Sequence, residues 1–410
     1  MANILVTIIS EQTIQNVLFI KQLTEIEKKN IDKYIFFSSK KMFDRHFGKW
    51  VADVCRIRFE KIEVQDTEED DMLAINSILA EKIQNKEDNY FVNITGGTKL
   101  MSTALYEFFS QNQFINAKIC YLPVGKNTYI QLLQNEKANP IKIEYQLSVE
   151  EYLNSYGVNI LKSLENPLFS SRNFTDKYIK EDYHQNRQFF NLRALDVQSK
   201  EFFAWNEIKG GEKIKAFLQK INFIMSSEDG LKLQEVKYLA FAGEIEELVY
   251  HRFNSALKFK KGQILMGVEI DKEGIKRNRP KNLPFYKNDN ELDIVFIYNN
   301  TLYVVECKRN ITTKKDMVSL AEATETNSEL GNEKKSFNDI IYTIAAIKDN
   351  KNGFGLHINT FLYCHSLSLR NQKGDNFYWI FQERAELHNV VLSDRKNIDE
   401  EIKKLLPKTT

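Results

Sequence analysis

Two carboxylates and an amine stand out in the string Glu291-Leu-Asp293-Ile-Val-Phe-Ile-Tyr298-Asn299-Asn300-Thr301-Leu-Tyr-Val-Val-Glu306-Cys307-Lys308. The runs flanking the asparagines are β-branched and aromatic, which reads as strand, two-residue turn, strand. Asparagine tolerates the positive φ that such turns demand. With Asn299 and Asn300 as the loop, Tyr298 faces Thr301. Counting outward, Asp293 then lies opposite Glu306 and Glu291 opposite Lys308. Alternation along the strands puts these four polar side chains on one face. The other face is expected to carry Leu292, Ile294, Phe296, Leu302 and Cys307.

Facing carboxylates are destabilising. At roughly 5 Å and an effective dielectric near 20 the repulsion is about 3 kcal/mol. A divalent cation, Mn²⁺ or Mg²⁺, offsets it and gains a site of hard oxygens. Asp293 and Glu306 are the candidate ligands, with the Cys307 backbone carbonyl as a third. Lys308 is then placed to orient or polarise water against a phosphodiester. The bland alternative is an edge hairpin with a Glu291–Lys308 ion pair and a solvated Asp293.

These residues resemble the PD-(D/E)XK nuclease superfamily, with Asp293 as the motif aspartate and Glu306-Cys307-Lys308 as (D/E)XK. The leading proline of the signature is absent, and the local string is Glu-Leu-Asp.

At 410 residues the chain has room for two or three domains. Lys+Arg 57 against Asp+Glu 56 leaves a net charge of +1, so any surface for nucleic acid must be local. Cys55, Cys120, Cys307 and Cys364 lack metal or disulfide spacing, which suits a reducing cytosol. No signal peptide or membrane span is expected.

Residues 1–147 alternate strand and helix signals. Strands are expected at Ile4–Ile9, Tyr34–Phe37, Ile57–Val64 and Tyr90–Ile94, with a closing hairpin of Lys118–Leu122 and Tyr129–Leu133. Repeated βα units imply a mostly parallel, Rossmann-like sheet. Ligands bind such sheets beyond the C-terminal strand ends. Two loops stand there. Thr95-Gly96-Gly97-Thr98-Lys99 lets backbone approach a ligand, caps the next helix through Thr98 and favours an anion at Lys99. Ser10, Glu11, Gln12 and Thr13 follow the first strand and add donors and acceptors. Neither loop is a Walker A or GxGxxG fingerprint.

Together the two loops resemble a CARF domain, the CRISPR-associated Rossmann-fold sensor. With a PD-(D/E)XK domain downstream, the chain resembles the CARF–nuclease ancillary effectors of type III CRISPR systems. The fold implied is α/β: an N-terminal Rossmann-like CARF domain plus a C-terminal restriction-endonuclease-like αβ domain. The resemblance also implies a homodimer binding a cyclic oligoadenylate, chiefly cyclic tetra-adenylate, across its two-fold axis. A ring of phosphates suits two copies of one helix-terminus site.

Residues 148–235 read as a mostly helical connector, with a capping box at Ser148–Glu151 and a further helix from Thr175 to Leu195. Residues 236–410 carry the nuclease pattern. A helix from Gly243 offers Glu244 or Glu247, since a first-helix glutamate often joins the site in this superfamily. Helices are also expected over Thr313–Glu329 and Phe337–Asp349. Lys276, Arg277 and Arg279 crowd a loop before the Asp293 strand and suggest contact with a phosphate backbone.

The function expected is a metal-dependent nuclease cutting single-stranded RNA and DNA, with nicking of duplex DNA, switched on by cyclic oligoadenylate in antiviral defence. Its catalytic set is Asp293, Glu306, Lys308 and Glu244. One rival is a restriction- or repair-type endonuclease whose N-terminal domain only dimerises and which cuts without a nucleotide. The other is a non-enzymatic nucleic-acid-binding regulator.

Overall fold

The computed structural model describes residues 1–67, 70–111, 113–132, 139–168, 192, 195, 200–220, 223–240, 243–272, 291–311, 337–347, 358–371 and 373–406. Lys276, Arg277, Arg279 and the helix expected over Thr313–Glu329 lie outside these residues, as does nearly all of Thr175–Leu195.

The first sheet has seven strands: β1 (Asn3–Ile9), β2 (Lys33–Ser39), β3 (Ile62–Thr67), β4 (Asn89–Asn93), β5 (Ala117–Tyr121), β6 (Thr128–Leu132) and β7 (Pro140–Lys142). Their order is β3-β2-β1-β4-β5-β6-β7. The first five run parallel, and β6 and β7 close the edge antiparallel. Strand β1 shows why both sheet faces must be covered. Ile4, Val6 and Ile8 pack into one apolar cluster, while Leu5 and Ile9 pack into another. The covering helices are α1 (Thr13–Lys21), α2 (Lys40–Asp44), α3 (Phe47–Val54), α4 (Met72–Lys82) and α5 (Lys99–Phe109). Asp71 caps α4 through the Leu73 and Ala74 N–H groups. The third strand starts later than expected, because Phe59–Lys61 forms a 3-10 turn.

The second sheet has six strands: β8 (Val158–Leu164), β11 (Ile264–Lys272), β12 (Glu291–Tyr298), β13 (Thr301–Lys308), β14 (Ile358–Cys364) and β15 (Val390–Ser393), in the order β15-β14-β13-β12-β11-β8. Strands β9 (Phe202–Ala204) and β10 (Gly230–Lys232) form a separate pair. The helices are α6 (Val149–Asn154), α7 (Gly211–Lys220), α8 (Leu233–Ala240), α9 (Gly243–Leu257), α10 (Phe337–Ile347), α11 (Trp379–Leu387) and α12 (Ile398–Lys403). The Ser148–Glu151 capping box opens α6. The stretch expected to be a mostly helical connector carries α6 and α7 and, beside them, β8, β9 and β10. Its β8 sequence, Val-Asn-Ile-Leu-Lys-Ser-Leu, is half exposed at the sheet edge, so it carries no strong apolar run.

The two sheets share one core. The cluster holding Leu5, Phe19 and Trp50 continues through Tyr152 and Val158 to Leu292, Val295, Ile297 and Val304. Among the described residues no helix is long and apolar enough to cross a membrane.

Candidate functional site

The β12–β13 hairpin has the register that its turn residues dictate. Tyr298 pairs with Thr301, Phe296 with Tyr303 and Ile294 with Val305. Asn299 and Asn300 have φ of 49° and 57°, as a type I′ turn requires. Phe296 and Tyr303 stack at 4.7 Å with ring planes 6° apart. That pair adds about 1 kcal/mol and pins the register.

At the far end of the hairpin Asp293, Glu306 and Lys308 converge. The Lys308 ammonium lies 3.6 Å from Asp293 Oδ2, contacts Glu306 Oε1 and donates to the Cys307 carbonyl at 3.2 Å. Asp293 Oδ2 also accepts the Cys307 N–H at 2.6 Å, which fixes the aspartate against its partner strand. Side-chain exposures of 16 % for Asp293, 20 % for Glu306 and 30 % for Lys308 leave the group open to solvent on one side. Burial lowers the Lys308 pKa, but the charges of Asp293 and Glu306 outweigh it and hold the amine well above its ordinary value. The ammonium thus sits where a cation is drawn by three oxygens. Two carboxylates and a carbonyl are hard donors suited to Mn²⁺ or Mg²⁺. Among the described residues no group of three or more His, Cys, Asp or Glu side chains is placed to hold a metal.

Three expectations need correction. The β12–β13 ladder ends at Ile294–Val305, so neither Asp293–Glu306 nor Glu291–Lys308 is a ladder pair; Lys308 instead bridges Asp293 and Glu306, and Glu291 is exposed and pairs with Glu269 of β11. Leu302 pairs with Ile297 and packs on that side of the sheet with Val295 and Val304. Leu292 joins the same side, away from Ile294 and Phe296. The alternation is broken on two neighbouring strands at one rung. Met266 and Ile294 face one cluster while Val268 and Leu292 face the other. Between them Gly267 adopts φ of 53°, so the strand twists beside Asp293.

Helix α9 carries both glutamates expected to join the site. Glu247 is 2 % exposed and accepts the Leu168 N–H at 2.6 Å, so it serves as a buried anchor. The Glu244 side chain lies outside the described residues. After burial, Asp293 and then Glu246 push the Cys307 thiol above its ordinary value. The apolar stripe Ile245, Leu248, Val249 and Phe253 fixes this helical phase and leaves Glu244 and Glu246 on its two flanks.

The loops of the first sheet meet at its C-terminal edge, on either side of β1. The chain leaves β1 toward β2 on one side and reaches β4 on the other, a topological switch point. Gly96 and Gly97 have φ of 98° and 66°. A Cβ on Gly96 would stand 2.6 Å from Ser10 Oγ, so the two loops touch. Thr98 caps α5 by accepting the Met101 N–H at 3.3 Å, and Lys99 is exposed at the first residue of that helix. Ser10 Oγ accepts the Gln12 N–H, and Glu11 is paired with Arg45 and Lys41 of the α2 region.

Two residues expected in the loop surface are internal. Thr13 is fully buried and donates to Ser155, while Thr95 is 4 % exposed and accepts the Leu122 N–H. Beneath both loops lies a polar network that the sequence did not disclose. Asn16 and Asn93 both donate to Thr7 Oγ1, at 2.7 and 3.0 Å, and Asn93 Oδ1 accepts the Thr95 N–H.

Residues 4–152 match the family profile of the Card1 CARF domain. Two solved structures share the fold of the whole chain. Can2 from Sulfobacillus thermosulfidooxidans, solved in complex with cyclic tetra-adenylate, is 18% identical with a TM-score of 0.63, covering 98% of each chain. Protein VC1899 from Vibrio cholerae is 14% identical with a TM-score of 0.66, covering 98% of this chain and 97% of its own. No curated protein is similar to the sequence. The similarity to the Card1 CARF domain thus covers the N-terminal segment 4–152, and the likeness over the whole chain is one of fold.

Proposed function

We propose that this protein is a metal-dependent nuclease of the PD-(D/E)XK type, switched by a cyclic oligoadenylate, chiefly cyclic tetra-adenylate, in type III CRISPR defence. The observation that carries the catalytic half is the convergence of Asp293 Oδ2, Glu306 Oε1 and the Cys307 carbonyl on one ammonium. Asp293 and Glu306 would hold Mn²⁺ or Mg²⁺, with the Cys307 carbonyl beside them. A cation there supplies charge neutralisation at a phosphodiester and a more acidic water. Lys308 then orients the attacking water and faces the scissile phosphate. Glu244 of α9 would join this group, as would Glu246, whose charge acts on Cys307, and Lys276, Arg277 and Arg279 would contact the phosphate backbone. Single-stranded RNA and DNA are the substrates, with nicking of duplex DNA.

The sensing half rests on the CARF match and on two loops touching at a switch point. Gly96 and Gly97 bring backbone N–H groups near the α5 N-terminus, where Lys99 adds a positive charge. A homodimer would place two such sites around one symmetric ring. The Can2 complex with cyclic tetra-adenylate supports this choice of ligand.

Purified protein is incubated with labelled single-stranded RNA or DNA, Mn²⁺ and a panel of cyclic oligoadenylates. Cutting that requires both the metal and one ring size supports the reading. Equal cutting without any nucleotide rejects the switch, and no cutting under any condition rejects the nuclease.

A further inference from the structure

The turn of the β12–β13 hairpin is gripped by the N-terminal domain. Asn300 is 7 % exposed. Its Oδ1 accepts the Leu147 N–H at 2.8 Å, and its Nδ2 donates to Asn127 Oδ1 at 2.6 Å and to the Tyr145 carbonyl at 2.8 Å. Asn127 in turn donates to the Ile143 carbonyl at 3.0 Å. The turn itself needs only positive φ, which glycine also provides. The amide therefore does a second job, joining the hairpin to the segment that leads from β7 into α6.

That segment is also tied to α1. Gln22, just past the end of α1, accepts the Glu144 and Tyr145 N–H groups at 2.9 and 3.2 Å. Lys21 pairs with Glu151 at 3.2 Å, and Thr13 donates to Ser155. Helix α1 begins directly after the Ser10–Gln12 loop. Gln12 and Gln15 line the same cleft as Asn299, Asn300 and Thr301. A sensor loop thus feeds a helix held at both ends to the segment that grips the turn. The paired strands carry any movement of the turn to Asp293 and Glu306.

We infer that Asn300 is a positioning residue through which occupancy of the sensor loops sets the placement of the catalytic carboxylates. This rests on the nuclease-and-sensor reading for what is sensed and cut. A ligand shifts the hairpin only if it favours one arrangement over another, and the inference is that the Asn300 grip is part of that difference.

The test uses the full-length chain and two variants, Asn300→Gly and Asn127→Ala. The first keeps the turn backbone and removes the amide. The second removes one partner in the other domain. Each is assayed for cyclic tetra-adenylate affinity, cleavage with and without it, and hydrogen exchange over residues 291–308. The expected result is ligand affinity within about twofold of wild type and a ratio of activated to basal cleavage reduced about five- to hundredfold. Exchange over 291–308 responds to ligand in the wild type and no longer does so in Asn300→Gly. A purely structural role lowers both rates together and leaves the ratio and the exchange response intact, which overturns the inference. If the wild type neither binds the ring nor cuts, the function reading falls. The unliganded exchange then decides this inference: faster exchange over 291–308 in both variants sustains the grip, and unchanged exchange overturns it.

Discussion

Replacing Lys308 by alanine separates two roles that the site gives this side chain. Its ammonium lies 3.6 Å from Asp293 Oδ2 and in contact with Glu306 Oε1. At that distance an ion pair in an effective dielectric of about 20 gains roughly 5 kcal/mol before desolvation and screening. Side chains exposed by 16 %, 20 % and 30 % lie between surface pairs and fully buried ones. A net loss of about 2 kcal/mol is the expectation for the metal-free Lys308→Ala protein. For a domain of this size that lowers Tm by about 4–8 °C. Mn²⁺ should restore most of it, because the oxygens the ammonium occupied become available to the ion. The metal-induced rise in Tm is therefore larger in Lys308→Ala than in the wild type, although cutting falls by about a hundredfold or more. Differential scanning fluorimetry with and without Mn²⁺, beside a single-turnover cleavage assay, reads both. Equal Mn²⁺ shifts in the two proteins, or cutting retained in Lys308→Ala, would refute the reasoning.

Further outcomes follow from the sensor and from the joint between domains. Gly97→Ala places a Cβ 2.4 Å from Ile8 Cγ2 at a φ of 66°, and should cost about 2–4 kcal/mol; a denaturant midpoint equal to wild type would contradict the loop geometry. Lys99→Ala should weaken cyclic tetra-adenylate binding about tenfold by titration calorimetry while leaving Tm unchanged; undiminished affinity counts against the α5 site. Burial raises the Glu151 pKa, but the Ser148 N–H, the Tyr145 hydroxyl and the Lys21 ammonium outweigh it and hold the carboxyl below its ordinary 4.5. Its contribution is complete above that value and is lost as pH falls through the lower folded pKa, so Glu151→Gln should flatten the acid side of the stability curve. An identical acid slope in urea titrations of the two proteins would sink that assignment.

The parts of this molecule legible in the sequence are those set by local chemistry. Asn299-Asn300 dictates the turn and the turn dictates the pairing. Continuous apolar runs mark the parallel strands, and Thr98 and Ser148 cap their helices as their types require. What stayed hidden depends on residues distant in the chain. The twist at Gly267 redirects Leu292, although nothing in the β12 string announces it. Thr13 and Thr95 look like loop donors until Ser155 and Leu122 claim them. Strand β8 is recognisable only from its pairing with β11, since its own sequence is that of a half-exposed edge. Asn300 advertises a turn and conceals its hold on Asn127, Tyr145 and Leu147.

The claim on which the catalytic reading turns is that Asp293, Glu306 and the Cys307 carbonyl form one cation site. Crystals equilibrated with Mn²⁺ and measured at its absorption edge test it directly. The prediction is an anomalous peak between Asp293 Oδ2, Glu306 Oε1 and the Cys307 carbonyl, with the Lys308 ammonium displaced from that position. Clean density for Lys308 still bridging the two carboxylates, and no anomalous signal there at millimolar Mn²⁺, would contradict it.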